Sequence, residues 1–503
     1  MKPVPADKRL NEARRLLQEH NFAQALPAYE KLTKHLGNKA LIWYEYGSAA
    51  CGVGLHDLAE KAWGKVLELE PGNSELLRKV GLQYEGLHRR QKARAAFEQA
   101  VKANSRDSHS HLALAELLER SHRVAEAREA LAASLALDPR NERARCFAAL
   151  LDWRENKIEE AERGLRDLMA SGPRNPDVQY GCRYQLAQLL DRTDRFDEAM
   201  ETLAEAKRLL RGLADVPAML KQYDQFAAKY RHTTEALPAN ILRTWSKEFP
   251  EKSRAAIPRL AFLGGHPRSG TTLLEQLMGA HPEVGALDEP KAFTSIVVRL
   301  FNDSAQLSPA RLNVIRRSYV EALQKELGDG TEHKLILDKN PTDTMKLCIW
   351  LRVFPELRVL IALRDPRDVV ISCYFQNFPL NPFTANYLFF ERTATHYANL
   401  MAVWLAVREW EGLTGMETRY ADVVADLEKE GRRVTDFLGL TWHPEQARFH
   451  EKSCKKHLYA ATYHDATQPI YQRSLARWRA YEKHLASSLP ILKPYCRAFG
   501  YET

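Results

Sequence analysis

The chain has 503 residues, enough for two or three cores at the usual ~100–200 residues per domain. Lys plus Arg number 73 and Asp plus Glu 65, a net charge of +8, with 45% of residues hydrophobic and 27% charged. These values exclude a wholly disordered chain, a collagen-like fibre and a disulfide-dense mini-protein, and so thin a surplus gives no reason to expect a nucleic-acid partner. No apolar run approaches the ~18–20 residues of a membrane span, and the opening MKPVPADKRLNEARRLLQEH lacks an apolar signal core. A cytoplasmic protein without a membrane span is therefore expected. The seven cysteines are odd in number and include no CxxC pair, which favours reduced thiols over a disulfide frame or zinc site.

The first 213 residues repeat. Ala25, Ala59, Ala93, Ala127 and Ala161 follow one another at intervals of 34, and Tyr29, Trp63, Phe97, Leu131 and Leu165 lie four residues beyond them. Small residues (Ala13, Gly47, Gly81, Ala115, Ala149) precede the alanines by twelve, and Pro71, Pro139 and Pro173 hold another phase of the period. A sixth copy, with a four-residue insertion, supplies Ala199, Leu203 and Ala206. A small residue on the first helix of each copy admits the second helix closely, the bulky residue fills the next groove, and proline stops the second helix. The pattern resembles the tetratricopeptide repeat over residues 6–213, an all-α superhelical array of about six repeats. The resemblance implies a concave face that takes a protein or peptide; a scaffold role is the alternative.

Residues 214–257 carry helical signals interrupted by Pro238 and Pro250 and read as a helical or irregular linker. The remaining 258–503 are the size of one α/β domain. Arg259–Gly265 (RLAFLGG) predicts a buried parallel strand, followed by the loop HPRSG and the apolar-periodic helix start TTLLEQLMG. Strand, glycine loop and helix together suit an oxyanion, because backbone N–H groups and the helix dipole point at it. Gly265 and Gly270 have the spacing of an NTPase P-loop, but Thr271 and Thr272 stand where Lys-Ser/Thr belongs, and Arg268 supplies the charge from inside the loop. A kinase or NTPase is disfavoured. Further strands are expected at His333–Lys339, Leu357–Leu363 and Met416–Tyr420.

The run PRSGTTL with AHPEV resembles the sulfotransferases that use 3′-phosphoadenosine 5′-phosphosulfate (PAPS), among them the protein-tyrosine sulfotransferases and bacterial repeat-linked members, over about residues 259–500. The resemblance implies a P-loop-like α/β sulfotransferase domain with a central parallel sheet. It implies that Arg268, Ser269, Gly270, Thr271 and Thr272 cradle the 5′-phosphosulfate and that Arg364 and Ser372 hold the 3′-phosphate. Tyr420 matches a tyrosine near the adenine, and Arg477 stands where the family has a phosphate-binding lysine. Among catalytic groups, Glu289 is the implied general base, with Asp288 a weaker substitute. Lys339 is the implied partner of the bridging oxygen, Arg268 with Lys339 the implied stabiliser of the spreading negative charge, and Thr462 stands at the place of a transition-state serine. Gln376 replaces a family arginine. The expected reaction moves the sulfuryl group from PAPS to a hydroxyl, leaves adenosine 3′,5′-bisphosphate and needs no metal. A tyrosine of a protein or peptide bound through the repeats is the first acceptor. The alternatives are a small-molecule, lipid or glycan alcohol, or an inactive repeat adaptor. The resemblance also permits a homodimer.

Overall fold

The computed structural model describes residues 6–502 apart from 88, 251–256, 291, 294–295, 297–306, 329–333 and 451–472. The chain divides into two compact units, Met1–Val178 and Gln179–Thr503. Among the described residues no helix is long and apolar enough to cross a membrane.

The first unit contains five helix pairs: Ala6–Gln18 with Phe22–Leu36, Ala40–Gly52 with His56–Leu69, Ser74–Gly86 with Arg90–Ala103, Ser108–Arg120 with Val124–Leu137, and Glu142–Arg154 with Ile158–Ala170. The five periodic alanines are all fully buried, as are Tyr29, Trp63 and Phe97. A Cβ on Gly47 would stand 2.3 Å from Nε1 of Trp63, and one on Gly81 would stand 2.4 Å from the Phe97 ring. The small residue thus makes room for the bulky residue of its own pair more than for the alanine. Two further features keep the period. Asn73, Asp107 and Asn141 cap the first helices by accepting the backbone N–H of Leu76, His109 and Ala144. The turns between paired helices pass through left-handed residues: His20, Gly54, His122 and Asn156.

The second unit begins inside the sixth pair, Pro176–Arg192 and Phe196–Arg211. The four-residue insertion appears as one extra helical turn: the first helix has 17 residues, against 13 in Glu142–Arg154. The stretch read as a linker contains a 20-residue helix, Val216–Glu235. Its Tyr223 is fully buried and stacks on His396 with ring centroids 5.0 Å apart, so this helix packs against Phe390–Val407.

Five parallel strands form one sheet in the order β2-β3-β1-β4-β5: β1 Arg259–Gly265, β2 Val284–Asp288, β3 Leu335–Lys339, β4 Arg358–Leu363 and β5 Thr414–Arg419. Four lie where the sequence predicts them, within a few residues. β2 was not anticipated, because VGALD holds a glycine and an alanine and lacks β-branched residues after Val284. β1 is buried from Leu260 to Gly265, as befits a strand covered on both faces. β1 pairs with β3 on one side and β4 on the other, so the loop after β1 emerges at the sheet's carboxyl edge between the two, where α/β sheets hold ligands.

The close glycine contacts carry a prediction. Gly81→Ala should destabilise its helix pair by ~1–3 kcal/mol through overpacking against Phe97. Gly86→Ala, where a Cβ meets nothing within 4 Å among the described residues, should be neutral or stabilising. Hydrogen exchange across residues 74–103 of the full chain measures both; equal protection in the two variants would refute the steric account.

Candidate active site

The loop after β1 is built on two glycines with different tasks. Gly265 (φ +117°) lies so close to β4 that a Cβ would stand 2.3 Å from the carbonyl oxygen of Ala362. Its backbone is also clasped by Thr344, whose Oγ1 accepts from the Gly265 N–H at 2.8 Å and donates to its carbonyl at 3.0 Å. Gly270 (φ +95°) precedes the helix Thr271–Gly279, and a Cβ there would stand 2.6 Å from the Tyr420 ring. Among the described residues no side chain caps this helix N-terminus, the kind of helix start that suits an anion. Ser269 and Thr271 are buried at this start.

Arg268 adopts φ +74°, and its Nε donates to Ser372 Oγ at 2.9 Å. Arg364, the first residue after β4, donates from one terminal nitrogen to the Arg268 carbonyl (3.2 Å) and from the other to the Ser474 carbonyl (2.6 Å). Its Nε is buried and has no hydrogen-bond partner among the described residues. Its guanidinium lies 5.3 Å from the centre of the Tyr420 ring, whose hydroxyl meets Ser474 Oγ at 2.9 Å. Arg268, Gly270, Arg364, Ser372 and Tyr420 are thereby brought together by β1, β4, β5 and the helix Pro366–Tyr374.

The second half of the site lies at the ends of β2 and β3. Asp288 and Lys339 are register partners, as are Lys339 and Leu263. The Glu289 N–H donates to the Lys339 carbonyl at 2.8 Å, which extends the ladder by one step. Glu289 then turns to φ +55°, and its carboxylate comes back to Lys339 Nζ at 3.1 Å. Asp288 closes a second ion pair on the same nitrogen. Lys339 is 1% exposed and the Glu289 side chain 55%. Burial alone would lower the Lys339 pKa, but the charges of Asp288 and Glu289 outweigh it and hold the ammonium above its ordinary range. The result is a fixed buried cation beside a carboxylate that reaches solvent. Left-handed non-glycine backbone costs roughly 1–2 kcal/mol per residue. Among the described residues it occurs, outside the repeat-type turns, at Arg268, Glu289 and Ala476, and strain of this kind collects at functional sites.

Arg477 meets a partner of its own: its guanidinium is bonded to the buried Asp191 carboxylate at the end of Pro176–Arg192, with Nε 3.0 Å from Oδ1. Thr462 lies outside the described residues.

Other contributors were not singled out from sequence. His266, the loop's first residue, is fully buried; its Nδ1 lies 2.7 Å from the Pro267 carbonyl and its Nε2 2.8 Å from His396 Nδ1. A carbonyl only accepts, so His266 carries its proton on Nδ1 and accepts from His396. Asp368 accepts the N–H groups of Ala476 (2.9 Å) and Trp478 (2.8 Å) and thereby positions the Ser474 segment. A histidine abutting Gly265 was the visible signal for the first; nothing local marked the second.

Residues 259–444 match the sulfotransferase family, and residues 10–74 and 81–142 match the tetratricopeptide repeat. The chain joins tetratricopeptide repeats to a sulfotransferase-family domain. An uncharacterized protein of Aquifex aeolicus is 26% identical over 62% of this chain and 41% of its own length. Protein-tyrosine sulfotransferase A of Caenorhabditis elegans is 24% identical over 48% of this chain and 67% of its own. For protein-tyrosine sulfotransferase 2 of Gallus gallus the values are 25%, 39% and 53%. The match thus spans between about two fifths and two thirds of these relatives. The sulfotransferase-family domain takes its glycine loop, Arg364 and the Glu289–Lys339 pair from inside the matched stretch; Ser474 and Arg477 lie beyond it.

The buried histidine pair behind the loop should make the sulfotransferase-family domain acid-sensitive. Burial lowers His266 from 6.5 to about 4, so between those values the unfolded chain binds a proton that the native loop refuses. Native stability therefore falls as pH drops through that window, by about 2 kcal/mol between pH 7 and pH 5 from this residue. His266→Asn, which keeps a donor for the Pro267 carbonyl, should remove that part of the slope. Denaturant midpoints followed by hydrogen exchange at residues 259–279 test it; an unchanged slope would count against the buried-neutral assignment.

Proposed function

We propose that the sulfotransferase-family domain transfers the sulfuryl group from PAPS to a hydroxyl, with a peptide tyrosine as acceptor. One observation carries the reading: a buried, charged Lys339 contacts the carboxylate of Glu289 at the sheet edge, where a glycine loop also bonds its own Arg268 to Ser372. Two phosphate-bearing ends and a sulfonate need several fixed cations and donors without a carboxylate among them. Arg268, Arg364, whose buried Nε has no partner among the described residues, and a helix N-terminus with no side-chain cap among them support that need. A wider side chain at position 270 would displace Tyr420, so a flat aromatic wall survives only with glycine there.

The chemistry divides between the two halves of the site. The acceptor oxygen attacks sulfur as the bond from sulfur to the 5′-phosphate oxygen breaks. Glu289 takes the acceptor's proton, and its exposed carboxylate can be reached by an incoming hydroxyl. Lys339 donates to the departing oxygen as its charge grows, and Asp288 keeps the ammonium charged when Glu289 turns to the acceptor. The loop N–H groups and Arg268 hold the non-bridging oxygens. Positioning supplies the rest of the barrier reduction, since reacting atoms must come within ~3–3.5 Å. The tyrosine acceptor is supported by the relatives named protein-tyrosine sulfotransferases and by the presence of a repeat array, a common protein-binding scaffold.

With PAPS and a pool of tyrosine peptides and simple alcohols, mass spectrometry should find one added SO₃ on peptides. Addition to alcohols alone would replace the acceptor class. Glu289→Gln should lower kcat by about 100-fold or more at a similar KM for PAPS. Lys339→Met should cost on the order of 100–1,000-fold. Near-full turnover in both variants would overturn the mechanism, and failure of the wild-type chain to bind adenosine 3′,5′-bisphosphate at millimolar concentration would favour a repeat adaptor.

A further inference from the structure

The sixth helix pair shows chemistry that the repeat pattern alone does not explain. In the first unit, Glu85 and Glu119 each lie four residues beyond the small residue of their helix and pair with an arginine of the following copy, Arg120 and Arg154. Asp191 stands in the same phase, four residues beyond Ala187. Its arginine partner is Arg477, which comes from near the C-terminus instead of from another repeat.

The Asp191 carboxylate is buried and accepts three bonds: from Nε of Arg477 (3.0 Å), from a terminal nitrogen of the same guanidinium (2.9 Å) and from the Tyr481 hydroxyl (2.6 Å). The Arg477 guanidinium lies 4.5 Å from the Phe375 ring centre and 5.6 Å from that of Tyr481, two rings that also touch each other. Arg473 donates to the carbonyls of Asp191 and Arg192, the latter at 2.8 Å, and reaches the Asp194 carboxylate at 3.0 Å. These acceptors are the last carbonyls of the helix Pro176–Arg192 and the left-handed turn residue after it. Residues 473–481 therefore cap the last helix pair as a seventh repeat would.

The same short segment forms one border of the anion site. Ser474, next to Arg473, gives its carbonyl to Arg364 and its hydroxyl to Tyr420. The N–H groups on either side of Arg477 are held by Asp368, and the Arg367 guanidinium lies 3.8 Å from the Trp478 ring centre. One face of the segment is tied to the helix pair and the other to Arg364 and Tyr420, with only a residue or two between attachments. The left-handed Ala476 (φ +53°) is where the chain turns between them.

We propose that the sixth helix pair is the anchor of the nucleotide site's border, and that Asp191 is a positioning residue for PAPS and its desulfated product. It acts through Arg477 and Arg473 on Ser474, and thence on Arg364 and Tyr420. This rests on the reading of the site as a PAPS site. It also gives Arg477 a role different from the one the family resemblance implies: a strut that holds the border, not a ligand of phosphate.

Calorimetric titration of the full chain with adenosine 3′,5′-bisphosphate tests it without any acceptor. Asp191→Ala and Arg477→Ala should each weaken binding about tenfold at full stoichiometry, because a loosened border must be ordered by the ligand. The double variant should bind no more weakly than either single one, since both changes break one strut. Asp191→Asn, which preserves shape and one acceptor oxygen, should lose less and serves where the alanine variant does not fold. In turnover, KM for PAPS should rise while kcat changes little. Wild-type affinity in Asp191→Ala and Asp191→Asn would overturn the proposal. So would a reduced binding fraction at unchanged Kd, which marks a folding defect, or additive losses in the double variant, which mark Arg477 as a phosphate ligand in its own right. Absence of binding by the wild-type chain would instead sink the PAPS reading itself.

Discussion

Parallel pairing of β1 with both β3 and β4 is the constraint on which the site depends. Together with the β2–β3 pairing it sets Leu263, Lys339 and Asp288 at one level across three strands, and it leaves the glycine loop to emerge between β3 and β4. Each group of chemical interest then lies at or just past a strand's carboxyl end: the loop after Gly265, Glu289 after Asp288, Lys339 itself, Arg364 after Leu363 and Tyr420 after Arg419. A register slip of one residue in β3 would turn Lys339 to the opposite face and leave its ammonium buried without Asp288. An unpaired buried charge is costly enough to make that alternative strongly unfavourable.

The costs of assembling the site are local and visible. Arg268 and Glu289 sit in left-handed backbone that glycine would tolerate better, yet each side chain ends on a specific partner, Ser372 and Lys339. His266 and His396 are buried in their neutral forms behind the loop, and the polar chain from His396 through His266 to Pro267 stiffens the turn. The glycines at 265 and 270 do different work: the first admits a neighbouring strand's backbone, the second an aromatic face. With Thr344 they tie the loop to β4 and to Tyr420, in addition to the bonds the loop makes within itself.

The repeat part and the sheet part were legible to different degrees. A repeat is a local object: its helices, capping residues and close contacts recur every 34 residues, so Ala25, Trp63 or Phe97 can be assigned to the core from spacing alone. The sixth copy is where that ends. Its sequence still shows Ala199, Leu203 and Ala206, all fully buried, but its outer end meets Arg473 and Arg477, about 280 residues away in the chain. No periodicity carries a contact of that range. Arg477 illustrates the consequence: nothing in its local sequence points to the bond it makes with Asp191.

By itself the sequence determined the helical array, the strand–glycine loop–helix unit, four of the five strands and the residues that gather at the glycine loop and at Lys339. Short-range periodicity and the steric demands of glycine are written locally, and a motif is a record of one such local unit. The tertiary structure alone decided that β2 is a strand, that Asp288 shares Lys339 with Glu289, that a histidine pair backs the loop, and that the C-terminal segment caps the last helix pair. Each of these needs partners from distant parts of the chain. A weak strand such as VGALD is stabilised by the neighbour it pairs with, and a buried charge chooses its partner only once the fold has excluded water.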